Sequence, residues 1–253
     1  MRIQVLASGS KGNCTYIESN TTKVLIDAGI NYTRIKKELD KINVDLLSLD
    51  GILISHTHSD HINGLSSVIK KIDTHVFIKD ELKSEIKKII PERNIETIDD
   101  NFILGDFNIK LITASHDVPA FGFIINDNKN SVVYLTDTGY INRKYFELTK
   151  NKNVYIIESN HDEKMLMEGP YPYILKQRVI SDKGHLSNKY TGKYLNKTIG
   201  DQTKYIILAH ISENNNDPEL ALNQVKEELD DNPFNKKNII IAKQYEETEL
   251  IEV

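Results

Sequence analysis

Short apolar runs separated by turn residues fill the first half of the chain, and helical periodicity joins them in the second. Runs at 3–7, 14–18 and 23–26 read as strands divided by Gly/Ser/Asn-rich loops at 8–13 and 19–22. Asn31 is placed to cap a helix over about 32–40, with Ile35, Leu39 and Ile42 on its apolar face. A strand follows at 51–54, then a short helix opened by Asn63-Gly64, a strand at 76–78 and helical period over 79–90 that Pro91 stops. The middle is mostly strand, at 95–98, 102–104, 109–113, 120–125 and 131–135. Later come buried strands at 154–157 and 205–209, helices across 186–199 and 218–229, and a closing strand at 239–242. Strands first, then strands mixed with helices, predict an α/β fold of packed sheets covered by helices outside.

Composition adds limits. The 253 residues fit one large domain, 1–253, and 39% hydrophobic with 27% charged residues describes an ordinary soluble globular protein. The run from Met1 to Ala7 is too short and interrupted for a signal peptide, and no segment approaches a membrane span, so the cytoplasm is the expected compartment. The single cysteine, Cys14, reads as a small buried hydrophobe. A net charge of −5 argues against a protein that coats nucleic acid, although two divalent cations would change it from −5 to −1. Lys36-Lys37, Lys70-Lys71, Lys87-Lys88 and Lys236-Lys237 read as solvated helix faces or loop ends.

The chemistry concentrates in His56-Thr57-His58-Ser59-Asp60-His61, directly after the strand at 51–54. Three imidazoles and a carboxylate in six residues are costly to bury without a partner, and their donor atoms suit divalent transition metals. Four ligands on one tight loop favour two ions over one, because a single tetrahedral site would leave no position for water. His116, Asp137 and His210 each stand just beyond an apolar run, where strand-end loops gather distant residues into one pocket. A bland reading stands beside each: a hydrogen-bonded polar loop for the cluster, and ordinary strand-end turns for the other three.

The motif H-x-H-x-D-H followed by a distal His, an Asp and a last His resembles the ligand pattern of the metallo-β-lactamase fold, a four-layer αββα sandwich. That resemblance implies that His56, His58 and His116 hold one ion, that Asp60, His61 and His210 hold a second, and that Asp137 bridges them. Two divalent ions, Zn or Mn with Fe also compatible, would share a water that loses a proton near neutral pH, and hydrolysis by that bridging hydroxide is the implied reaction, with Asp60 positioned to hold it in line. Asp27, in Leu25-Ile26-Asp27-Ala28-Gly29, resembles the family's aspartate supporting the His cluster, and a plain Asp-Ala-Gly turn explains it as well.

Further stretches, Leu6 to Asn13, Glu158-Ser159-Asn160-His161-Asp162, Gly169-Pro170-Tyr171-Pro172, Gly184-His185-Leu186-Ser187-Asn188 and His210 to Asn215, look like the YycJ/WalJ (VicX) family. The similarity spans nearly the whole chain and implies a compact metal-dependent nuclease linked with 5′-to-3′ DNA exonuclease action. His185 resembles the catalytic His of RNase Z-type nucleases, with Glu158 as its carboxylate partner, a pair suited to proton transfer. His161 faces either the same mouth or solvent, and His75 reads as structural. Ser8, Ser10, Lys11 and Asn13 lie on a Gly-rich loop suited to cradling a phosphate. Lys176, Arg178, Lys183, Lys189 and Lys193 offer a local basic rim. No interleaved aromatic and basic repeat stands out, so contact with DNA ends is expected to be short. Two rivals stay open: a thioester or lactone hydrolase of the same fold, glyoxalase II-like, and a metal-bound regulatory protein of a two-component system that hydrolyses nothing.

Overall fold

The structure, a computed structural model, describes residues 1–235 and 237–253, so the expectation for Lys236 lies outside the described residues. The chain begins with β1 (Arg2–Ala7), β2 (Cys14–Glu18), β3 (Lys23–Ile26) and α1 (Tyr32–Lys41). The Asn31 side chain accepts from the Arg34 amide and caps α1, as its sequence predicts, while Ile35 and Leu39 are buried. Next come β4 (Gly51–Leu53), α2 (Ser59–Ile62), α3 (Leu65–Ile72), β5 (Val76–Ile78), α4 (Lys83–Ile86) and β6 (Ile95–Thr97). Then follow β7 (Asn101–Leu104), β8 (Phe107–Thr113), β9 (Phe121–Asn126), β10 (Ser131–Leu135), α5 (Phe146–Thr149) and β11 (Val154–Glu158). The chain closes through α6 (Glu163–Glu168), α7 (Tyr173–Ile180), α8 (Asn188–Thr198), β12 (Tyr205–Ala209), α9 (Pro218–Glu228), β13 (Asn238–Ile241) and β14 (Ile251–Glu252).

Two seven-stranded mixed sheets result, in the orders β14-β1-β2-β3-β4-β5-β6 and β13-β12-β11-β10-β9-β8-β7. By contact density the chain forms two compact units, residues 1–111 with 126–129 and 243–253, and residues 112–125 with 130–242. Among the described residues no helix is long and apolar enough to cross a membrane.

In the first unit β1, β2 and β3 form an antiparallel meander, and β3 to β6 then pair in parallel. Parallel pairing buries both sheet faces, which is why Val24, Leu25, Ile26, Ile52 and Leu53 run as unbroken apolar segments. Cys14 is buried there, as its sequence predicts, and burial pushes its thiol pKa well up, away from reactivity. Two glycines let loops meet backbone to backbone. A Cβ at Gly29 would sit 1.7 Å from the Asp60 carbonyl oxygen, and one at Gly64 would sit 1.9 Å from that of Ile30. The helical period over 79–90 departs from expectation, resolving into a 3-10 turn at Asp80–Leu82 and the single turn α4. The tighter winding beyond α4, with Ile89 N donating to Ile86 O, buries Leu82, Ile86 and Ile90 and leaves Lys87 and Lys88 in water.

In the second unit β10, β11, β12 and β13 are all parallel. Alternate residues Val133 and Leu135, Tyr155 and Ile157, and Ile206 and Leu208 pack with Tyr194 and Leu195 of α8 and Val225 of α9 in one core cluster. Burying each such side chain contributes about 1.5–3 kcal/mol. Tyr155 meets the cost of its hydroxyl between the carbonyls of Thr149 at 2.7 Å and Thr198 at 2.8 Å, which share its one proton, and by accepting from Lys152 N at 3.2 Å.

Candidate metal centre

In the first unit, β4 delivers the chain through Ile54 and Ser55 to the His-rich loop. Asp27, one residue beyond β3, is fully buried and accepts three hydrogen bonds, from Ser55 N at 2.8 Å, Ser55 Oγ at 2.8 Å and His61 Nδ1 at 2.7 Å. Its φ of +61° lies in the left-handed region that Asp tolerates. With Nδ1 donating to a carboxylate, His61 carries its lone pair on Nε2, the arrangement that metal-binding imidazoles use to fix ring orientation and raise basicity. Ser55 Oγ also lies 3.0 Å from His56 Nδ1. The His56 ring stands 4.8 Å from that of His58 and 4.0 Å from that of His61, centre to centre. An Asp60 carboxylate oxygen lies 3.4 Å from His61 Nε2. The polar crowd read from the sequence therefore converges, and Asp27 is a working support rather than a turn residue alone.

The Gly-rich loop divides in two. Asn13, 1% exposed, donates from Nδ2 to Asp60 Oδ2 at 3.1 Å and to Gly9 O at 3.0 Å, and its amide donates to Asp60 O at 2.7 Å. The buried Ser8 hydroxyl donates to Asn13 Oδ1 at 3.3 Å. These two side chains, expected to face substrate, are turned inward and tie their loop to the His cluster. Ser10 and Lys11 are exposed, and Lys11 Nζ donates to the Tyr245 hydroxyl at 2.6 Å.

Asp27→Asn removes the charge that holds His61 while leaving a residue that also tolerates left-handed backbone. We expect divalent-ion affinity to fall about 10–100-fold with the fold retained, read by competitive titration with a fluorescent zinc chelator. Unchanged affinity would show that Asp27 only closes the turn.

In the second unit the parallel register sets the end of β11 beside the end of β12, with Glu158 opposite Ala209. Glu158 has no exposure and accepts four hydrogen bonds. Oε1 takes His185 Nδ1 at 2.7 Å and His210 Nδ1 at 2.9 Å, and Oε2 takes the Thr138 and Leu186 amides at 3.0 and 3.1 Å. Burial by itself would raise the Glu158 pKa, yet the His185 charge and the two imidazole hydrogen bonds hold it down at about 2. Burial would likewise lower His185, but the Glu158 charge beside it outweighs burial and raises it above the ordinary imidazole value. Asp137 and His210 have φ of +54° and +53°, strained backbone of the kind concentrated where geometry serves a site. Donor atoms of Asp137, Glu158, His185 and His210 lie within 4.8 Å of one another. His116 lies near the same group, its ring 5.4 Å from that of His185, with Nδ1 donating to Gly184 O at 3.3 Å. Burial lowers the His116 pKa, which favours the neutral imidazole a metal needs.

His161 is buried, 2% exposed, which rules out the solvent-facing alternative. Desolvation pushes its pKa down to about 4, and with His185 it lines a cleft in the same unit. His75 stays away from the chemistry, with Nδ1 3.2 Å from Glu96 Oε1 at the surface. The basic rim is partly spent elsewhere: Lys176 Nζ donates to Met167 O at 2.6 Å and Arg178 pairs with Asp117. Lys183 and Lys189 are exposed, and Lys193 lines the cleft.

Residues 22–211 match the profile of the beta-lactamase superfamily domain. The exodeoxyribonuclease YycJ of Bacillus anthracis is 33% identical over 241 residues, 92% of this chain and 91% of the relative. The exodeoxyribonuclease WalJ of Streptococcus pneumoniae is 38% identical over 229 residues, 87% and 85% of the two chains. The chain belongs to the YycJ/WalJ family of the beta-lactamase superfamily. Its fold agrees with the αββα sandwich expected from the motif. The crystal structure of the metallo-β-lactamase fold protein YhfI from Bacillus subtilis superposes with a TM-score of 0.73 at 18% identity, covering 97% of this chain and 98% of that one. In this YycJ/WalJ-family chain the donors suit a divalent cation: imidazoles and carboxylates, with His61, His116 and His210 each fixed through Nδ1 on a protein acceptor.

Proposed function

We propose that the chain is a cytoplasmic, metal-dependent phosphodiesterase acting as a 5′-to-3′ exonuclease on DNA ends, with residues 1–253 working as one catalytic domain. The exodeoxyribonuclease names of its YycJ and WalJ relatives support the substrate. The observation that carries the chemistry is the repeated orientation of His61, His116 and His210 through Nδ1, the arrangement that metal-binding imidazoles use. Position by position, the family resemblance assigns His56, His58 and His116 to one ion, Asp60, His61 and His210 to a second, and Asp137 to both. Zinc and manganese suit this set, and iron is compatible with it. When bound, the ions supply a water acidified to near-neutral pH and a positive field on a phosphoryl oxygen.

The chain's own residues supply the rest. Asp27, Ser55 and Glu158 fix the imidazoles in register, and the buried Asn13 steadies Asp60. His185, partly exposed and with its pKa raised by the Glu158 charge beside it, is set to donate a proton to the leaving oxygen. Ser10 and Lys11 extend from their loop as contacts for a flanking phosphate.

Purified protein should bind about two divalent ions per chain. End-labelled single- and double-stranded DNA and RNA, with thioester and lactone substrates in parallel, test the reading after loading with zinc, manganese or iron. A ladder of shortened DNA abolished by chelation supports it. Turnover of thioester or lactone without any nucleic-acid cleavage would replace it with the glyoxalase II-like rival, and no turnover of any substrate would favour the regulatory one.

A further inference from the structure

A cleft of about 580 Å³ opens in the second unit against His185, within the range of about 300–1,000 Å³ typical of small-molecule sites. Tyr190, Lys193, Tyr194 and Lys197 of α8 line it, spaced i, i+3, i+4 and i+7 so that aromatic and basic side chains interleave along one helix face. The segment beyond Asp137 adds Tyr140, Arg143 and Phe146. The buried His161 also lines it, and its Nδ1 has no hydrogen-bond partner among the described residues.

Two properties of this lining call for a ligand. First, Tyr140, Met167, Ile180 and Tyr190 remain 45%, 48%, 43% and 58% exposed around one cleft, a concentration of apolar surface that marks binding sites. Second, Arg143, Lys193 and Lys197 have no carboxylate partner among the described residues. Lys193 and Lys197 rest instead over the rings of Tyr190 and Phe146, with Nζ 5.5 and 5.9 Å from the ring centres. Of the two acids in the lining, Glu163 accepts from the Ser187 hydroxyl at 3.0 Å and Asp182 is exposed. An inorganic anion would use the cations and leave the aromatic faces bare, and an apolar peptide would do the reverse. A nucleotide uses both.

We propose that this cleft is a nucleotide subsite, in which an unpaired base at the end of a DNA strand stacks on Tyr190 while adjoining phosphates lie along Lys193, Lys197 and Arg143. The inference rests on the phosphodiesterase reading and adds the form of DNA taken. A base inside a duplex has both faces covered and its edge paired, so only an unpaired end can enter, and stacking accepts any of the four bases. The wall shared with His185 sets the stacked nucleoside next to the proton donor proposed for the leaving oxygen.

The test compares single-stranded oligonucleotides of identical length, one intact and the others abasic at the 5′- or 3′-terminal position, cut by the metal-loaded full chain. The wild type should cut the intact strand about tenfold faster than one abasic at the attacked end. Tyr190→Ala should bring that ratio close to one and Tyr190→Phe should restore it; Tyr190 is exposed, so both variants keep the fold. Lys193→Gln and Lys197→Gln should each flatten the plot of log affinity against log salt by about 0.7. If the wild type cuts intact and abasic strands equally, or Tyr190→Ala keeps the full ratio, the cleft assignment is overturned and the phosphodiesterase reading stands. Failure of the wild type to cut any strand overturns the reading itself.

Discussion

Asp60→Ala and His116→Ala should each reduce DNA hydrolysis to background, a loss of about 10³-fold or more, while the protein stays folded. A metal ligand shapes several kcal/mol of charge stabilisation in the transition state, and each 1.36 kcal/mol is a factor of ten in rate. The structural cost is small for identifiable reasons. Asp60 ties its loop to Asn13 through its main-chain carbonyl, which accepts from Asn13 N at 2.7 Å and survives the substitution, while the 3.1 Å side-chain bond from Asn13 Nδ2 is given up. The hydrogen bond that the His116 ring donates to Gly184 O is long, 3.3 Å, and worth about 1 kcal/mol. For a chain of this length that is a melting shift of about 2–4 °C. Hydrolysis by either variant at the native rate would remove that residue from the catalytic machinery, and a collapse of its melting temperature would make the role structural.

The sequence makes the strands and the ligand candidates legible because both signals are local. Val132 to Leu135 and Tyr205 to Ala209 are continuous apolar runs, and a polar residue just past such a run stands out without any knowledge of pairing. Glu158 is recognisable as a partner for His185 only through family resemblance, and its simultaneous hold on His210 depends on the parallel register of β11 and β12, which no local pattern encodes. The positive φ of Asp137 and His210 is equally invisible, since no glycine marks either position. Asn13 misleads for a related reason. A polar side chain on a Gly-rich loop suggests an outward phosphate cradle, whereas its hydrogen bonds to Gly9 and Asp60 turn it inward. The helix α7 has no strong apolar stripe to announce it, and it starts directly after Gly169-Pro170-Tyr171-Pro172 with Pro172 as its N-cap. On α8 the aromatic and basic residues do interleave, but at helical spacing, where a search for a linear repeat misses them.

Glu158→Gln should damage stability and activity together, more than its single-atom change suggests. The carboxylate is fully buried, and its four hydrogen bonds join the turn after β10, the end of β11, the start of the loop before α8 and the residue after β12. An amide in its place turns an NH₂ donor toward imidazole N–H groups or backbone amides that also donate, leaving at least two of them without an acceptor. Breaking a buried charged network in this way costs about 3–5 kcal/mol, which lowers the melting temperature by roughly 6–20 °C. Turnover measured below that temperature should still fall about 10–100-fold, because His210 loses its orienting partner. His185 loses the carboxylate that raises its pKa, and kcat should drop more than KM rises. Thermal denaturation and steady-state kinetics on the same preparation separate the two effects. A variant that melts normally yet turns over slowly would confine Glu158 to proton transfer, and one that melts early yet turns over normally would confine it to holding β10, β11 and β12 at their ends.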